Sequence, residues 1–180
     1  MPARPKSTKA PKGDRTATTT DLASRKRVQC ALDSSQTATF LVVGYGNVLR
    51  SDDGLGPKVA EAIAALRLPD VRAMACHQLT PELAEPISQA RAVVFVDAAA
   101  GAEPAEVTVR PVQAVQAGRI AAHRSSPEAL LALAEGLYGR APRAWLVAVP
   151  AFALGFGEEL SPQTLRHFQE AIRVIKRLRR

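Results

Sequence analysis

At 180 residues the chain has room for one well-buried α/β domain and an added arm. Its hydrophobic fraction of 47% fits a soluble globular protein, and its longest apolar runs, residues 92–96 and 144–149, fall far short of the roughly 20 residues a membrane-spanning helix needs. The formal net charge of +7 invites a nucleic-acid reading, but residues 1–35 hold eight Lys and Arg against Asp14, Asp21 and Asp33, and much of the rest is the terminal Lys176-Arg177-Leu178-Arg179-Arg180. The middle of the chain is nearly balanced. A solvated tail therefore accounts for the charge, and no nucleic-acid partner is expected.

In chain order, residues 1–37 are rich in Ser, Thr, Lys, Arg and Ala, with almost no large apolar side chains. They cannot bury enough surface to offset the entropy of ordering, so a disordered basic arm is expected there, ahead of a domain at 38–180. The start is polar and carries no apolar stretch of the kind that marks a secretory signal. Residues 40–43 (Phe-Leu-Val-Val) form an apolar run ending at Gly44, the pattern of a buried parallel strand. Leu55, Val59, Ile63 and Leu66 then recur at helical spacing, with Pro57 in the first turn. Residues 71–76 read as a second strand, and Thr80-Pro81-Glu82 as a threonine-capped helix start.

Residues 92–96 predict a third strand stopped by Asp97, and residues 107–110 a short edge strand. Ser126-Pro127-Glu128 starts a helix through Leu130, Leu133, Ala134 and Leu137, ended by Tyr138-Gly139. Residues 145–149 predict a fifth strand. Ser161-Pro162 opens an amphipathic helix through Leu165, Phe168, Ile172 and Ile175. Strands alternating with helices predict a three-layer α/β/α sandwich around a mostly parallel, twisted five-stranded sheet.

In such sheets ligands sit outside the carboxyl ends of the strands. The first strand leads into Gly44-Tyr45-Gly46-Asn47-Val48-Leu49-Arg50-Ser51-Asp52-Asp53-Gly54, and the third into Asp97. Asp52 and Asp53 stand at the mouth of a helix, where carboxylates also serve as caps for free N–H groups. The loop lacks the third glycine of a dinucleotide fingerprint, and an acidic pair would repel pyrophosphate, so no organic cofactor is expected. Asp97 ends an apolar strand, where an unpaired carboxylate needs donors or a metal; capping a turn at 98–101 is its structural alternative. The histidines are His77 at the end of the second strand, His123 in a polar loop, and His167, a surface or packing residue of the last helix. Were Asp53, Asp97 and His123 to converge, two carboxylates and an imidazole would suit a divalent metal with positions left open. Cys30 and Cys76 lie far apart and fit neither a disulfide framework nor a paired-cysteine zinc site, which favours a reducing cytoplasm.

The stretch from Gly44 to Gly56 resembles the opening motif of the hydrogenase maturation proteases: G-x-G-N, then an acidic pair and a glycine-containing helix start. Val96-Asp97-Ala98 is similar to that family's second acidic strand end, and His123, ahead of a Leu-rich helix, falls where the family has its histidine. The similarity covers roughly residues 39–178 and leaves out the basic arm. It implies a five-stranded α/β/α sandwich that cleaves a C-terminal extension from the large-subunit precursor of a nickel–iron hydrogenase. It also implies that Asp53, Asp97 and His123 contact nickel supplied by that substrate. Asn47, Asp52 and His77 become candidate substrate contacts. No catalytic nucleophile is assigned, in keeping with the absence of a G-x-S-x-G elbow. A monomer is expected. Two other classes stay open: a maturation factor or chaperone that binds precursor and metal without cleaving, and a general metal-dependent hydrolase carrying its own ion.

Overall fold

The computed structural model of the chain describes residues 39–101, 106–115 and 126–180. Its elements run β1 (Phe40–Tyr45), a 3-10 turn (Ser51–Gly54) leading into α1 (Leu55–Ala65), and β2 (Val71–Cys76). A second 3-10 turn (Pro81–Leu83) leads into α2 (Ala84–Gln89), followed by β3 (Ala92–Ala100) and β4 (Thr108–Val112). The described chain closes with α3 (Pro127–Tyr138), β5 (Arg143–Ala151) and α4 (Pro162–Leu178). One five-stranded sheet has the order β2-β1-β3-β5-β4, parallel except for β4, which pairs antiparallel with β5 at the edge.

Alternate residues of the central strands face opposite layers, as the pleat requires. Leu41, Val43, Val93 and Phe95 pack with Leu83, Ile87, Leu130 and Leu131, from the α2 and α3 side. Phe40, Val42, Val94 and Val96 pack with Leu55, Val59 and Ile63 of α1 and with Ala171 and Ile175 of α4. The result is the expected three-layer sandwich. Each fully buried side chain of this size stabilises the fold by about 1.5–3 kcal/mol relative to exposure.

Helix starts follow the sequence chemistry at two of three places. The Ala129 amide donates to Ser126 Oγ and the Thr164 amide to Ser161 Oγ, each at 3.2 Å, with proline at the first helical position. Gly139 takes a left-handed conformation (φ 71°) and closes α3. Thr80 differs: it makes no side-chain cap. The Leu83 amide, which a cap would take, donates to the Thr80 carbonyl at 3.1 Å and makes the first turn 3-10. β3 and β5 are longer than their apolar runs, because their parallel ladder continues through Asp97–Ala148 to Ala100–Ala151. Backbone pairing does not stop at a polar side chain.

At the amino end of the sheet, Asp70 accepts from Arg179 Nε at 2.8 Å and from Arg91 at 3.1 Å, tying the end of α4 to the β2 and β3 starts. No described helix is long and apolar enough to cross a membrane. Residues 1–37, expected as an arm, lie outside the described residues, which begin at Thr39.

Candidate functional site

The carboxyl edge of the sheet is shaped first by glycine. A β-carbon on Gly56 would stand 2.6 Å from the Val96 carbonyl oxygen and 2.8 Å from the Tyr45 nitrogen, so only glycine lets the start of α1 lie directly on β1 and β3. Gly46, at φ +142°, turns the chain out of β1. The loop then folds on itself. The Asn47 amide donates to Asp53 Oδ2 at 2.9 Å, the Leu49 amide to Asn47 Oδ1 at 3.0 Å, and the Arg50 amide to the Asn47 carbonyl at 3.0 Å. Asp53 is thereby held, half-buried, at the mouth of α1.

Asp97 enters from the neighbouring strand. The last β1–β3 pair is Gly44 with Val96, so Asp97 lies one residue past the point where β1 leaves β3. From β1 the connection runs to β2 on one side, while β3 lies on the other, and the crevice between them is the switch point where parallel sheets bind ligands. The Tyr45 hydroxyl donates to Asp97 Oδ2 at 2.8 Å. Burial, and then the nearby charge of Asp53, push the Asp97 carboxyl above the usual carboxylate range, against the opposing pull of the Tyr45 hydroxyl and the Ala98 amide. The Tyr45 phenol is itself pushed up by burial and by Asp97. Asp97 on β3 and Asp53 at the mouth of α1 are thus held from the two sides of this crevice, the one by Tyr45 and the other by the Asn47 amide.

Asp52, expected as a substrate contact, is placed differently. It is fully buried and its carboxylate is saturated within the protein. Oδ2 accepts from the amides of Phe152 (2.8 Å) and Ala153 (2.7 Å) and from Ser161 Oγ (2.8 Å), and Oδ1 accepts from the Ser161 amide (2.6 Å). Burial raises its pKa, but the Ser161, Ala153 and Phe152 amides outweigh this and hold it below the usual range. It is an inward-facing anchor, the capping alternative realised on a distant loop.

His77 is exposed and follows Cys76, the β2 partner of Tyr45, so it belongs to the same edge of the sheet. His123 lies outside the described residues. Among the described residues no three His, Cys, Asp or Glu side chains form a metal cluster; Asp53 and Asp97 are two of the three groups expected. His167 stacks on Phe152 with centroids 6.3 Å apart, a packing role. Cys76 is half-buried, and burial raises its thiol pKa, the opposite of what a nucleophilic thiolate needs. The rim carries apolar side chains in the open: Val48, Leu49, Phe152 and a fully exposed Phe156.

Sequence reasoning missed Tyr45, Ser161 and the 152–157 loop. Tyr45 shares the pleat face of Leu41 and Val43, but its meeting with Asp97 depends on β1–β3 register.

No protein-family model matches the sequence, and no curated protein matches it. Solved structures do. The NiFe hydrogenase maturation protease HybD from Thermococcus kodakarensis matches at 21% identity with a TM-score of 0.60, over 79% of this chain and 99% of that one. HycI from Thermococcus kodakarensis KOD1, also a NiFe hydrogenase maturation protease, matches at 23% identity and 0.60, over 82% and 96%. The hydrogenase maturating endopeptidase HybD from E. coli matches at 20% identity and 0.57, over 76% and 89%. The chain has the fold of these proteins across nearly their whole length.

Proposed function

We propose that this chain is a maturation endopeptidase that removes a C-terminal extension from the large-subunit precursor of a nickel–iron hydrogenase, once that precursor carries nickel. The observation that carries the reading is the acidic pair beside the switch-point crevice: Asp53 lies in the glycine-shaped loop whose sequence resembles the family motif, and Asp97 on the neighbouring β3, tied to β1 through Tyr45. Held without a cation, two such carboxylates repel one another, and a divalent ion relieves this. The fold shared with maturation proteases supports the same reading.

Asp53 and Asp97, with the imidazole of His123, would hold the nickel that arrives in the precursor. An ion so held can polarise the scissile carbonyl, acidify a water, or dock the peptide for cutting. The chain's own residues prepare the crevice: Tyr45 aims Asp97, the Asn47 amide fixes Asp53, and Gly56 keeps α1 close to the sheet. Asn47 and His77 are the proposed contacts with the peptide. The reading needs no organic cofactor, and takes the chain as a cytoplasmic monomer.

Incubation of the purified chain with a nickel-loaded precursor, read by intact mass, tests the proposal. A single shortened product is expected. A stable complex with no shortened product would mark a non-cleaving maturation factor, and cleavage of unrelated peptides by a chain that retains metal would mark a general hydrolase.

A further inference from the structure

Asp52 and Asp53 are adjacent in sequence and do opposite things. Asp53 faces the site loop, whereas Asp52 is fully buried with four hydrogen bonds to its carboxylate. Those bonds reach both ends of the β5–α4 connection: residues 152 and 153 directly after β5, and Ser161, the N-cap of α4. One side chain therefore closes that loop at its two ends.

The loop between those ends is also laced to the site loop. The Ser51 amide donates to the Gly157 carbonyl at 2.7 Å, the Gly157 amide to the Leu49 carbonyl at 3.0 Å, and the Asp52 amide to the Ala153 carbonyl at 3.0 Å. Arg50 Nη2 donates to the Leu154 carbonyl at 3.2 Å. Ser51 takes φ +47°, a left-handed conformation that a non-glycine residue keeps only where its surroundings over-determine it. The strained residue directly precedes the two aspartates. Simple anchoring of α4 does not call for this arrangement, since Ser161 Oγ already caps that helix.

We propose that Asp52 is a positioning residue for the processing reaction: by clamping the 152–161 connection it fixes the Ser51–Gly54 turn, and with it Asp53, in the geometry that receives the precursor. It touches no substrate and acts through Asp53 and the neighbouring loop. The reaction it serves rests on the maturation-endopeptidase reading, whereas the clamp itself rests on geometry alone.

Two variants test this. Asp52→Asn replaces one acceptor oxygen with an N–H donor aimed at backbone amides, and Ser161→Ala removes only the hydroxyl bonds and serves if the first variant does not fold. Hydrogen exchange should speed at least about tenfold at the amides of Phe152 and Ala153 while Val42 and Val94 keep their protection. Below the melting temperature, kcat/KM for a nickel-loaded precursor should fall by about tenfold or more, the scale of one or two lost charge-assisted hydrogen bonds, with KM rising. Faster exchange with unchanged kcat and KM would make Asp52 purely structural and overturn the proposal, as would unchanged exchange. Should the parental chain leave the precursor uncut, the endopeptidase reading fails separately. Positioning is then read from the affinity of nickel ion alone for the parental chain against Ser161→Ala. About tenfold weaker binding in the variant upholds the clamp, and equal binding overturns it.

Discussion

Tyr45 and Asp97, 52 residues apart in sequence, are joined by a 2.8 Å hydrogen bond from the phenol to Oδ2 across the carboxyl ends of β1 and β3. The bond holds one carboxylate of the acidic pair in place from the strand that also launches the other. It opposes the burial and the Asp53 charge that push Asp97 towards its neutral form. On the proposed reading, Tyr45 would help keep that carboxylate charged for the precursor's nickel.

Tyr45→Phe keeps the ring in its packing and deletes the donor. A hydrogen bond to a charged group is worth about 1.5–3 kcal/mol when buried, and Asp97 is only partly so. Processing of a nickel-loaded precursor should fall by about tenfold, while Tm moves by no more than about 4 °C. Initial rates and a thermal melt check both halves.

Asp53→Asn and Asp97→Asn keep shape and remove charge. Each should lower processing by about a hundredfold or more, the scale of losing one group that stabilises the transition state. Tm should stay level or rise, because like charges are no longer held together. Rates at the parental level in both variants would leave these carboxylates as structural caps.

Gly56→Ala should destabilise the fold by about 3 kcal/mol or more, since the new methyl meets the Tyr45 and Val96 carbonyl oxygens on the strands beneath it. Urea unfolding measures it. A midpoint equal to the parent's would mean that α1 can lift from the sheet freely.

Much of the architecture was legible in the sequence because apolar runs and helical periodicity report burial directly. The ends of β3 and β5 were not, since their ladder runs on past Asp97 and past 149 without regard to side-chain polarity. The sequence offered Asp53 from its place at a helix mouth and Asp97 from its place after an apolar run. The inward turn of Asp52 could not: its donors are Phe152 and Ser161, 100 and 109 residues away, and nothing local distinguishes two adjacent aspartates. Tyr45 was hidden for a related reason, its partner being fixed by strand register. His123 and the basic arm lie outside the described residues, and stand as sequence expectations.

Asp70 supplies a pH signature far from the site. The hydrogen bond from Arg179 outweighs desolvation and, with the Arg179 charge and the Arg91 bond, holds its carboxyl below the usual range. A folded-state pKa below the unfolded one stabilises the protein above about pH 4 and ceases to do so as pH falls through the folded value. Asp70→Asn should therefore melt below the parent at pH 7, and the gap should close as the pH falls through the folded-state pKa of Asp70. A gap that persists in acid would contradict the assignment.

The most direct test of nickel reading by the acidic pair is the intact mass of a hydrogenase large-subunit precursor after incubation, with and without loaded nickel. The parental chain should shorten the loaded precursor at a single bond and leave the unloaded one whole, and Asp97→Asn should leave both whole. Equal cleavage of loaded and unloaded precursor, or full cleavage by Asp97→Asn, would contradict it.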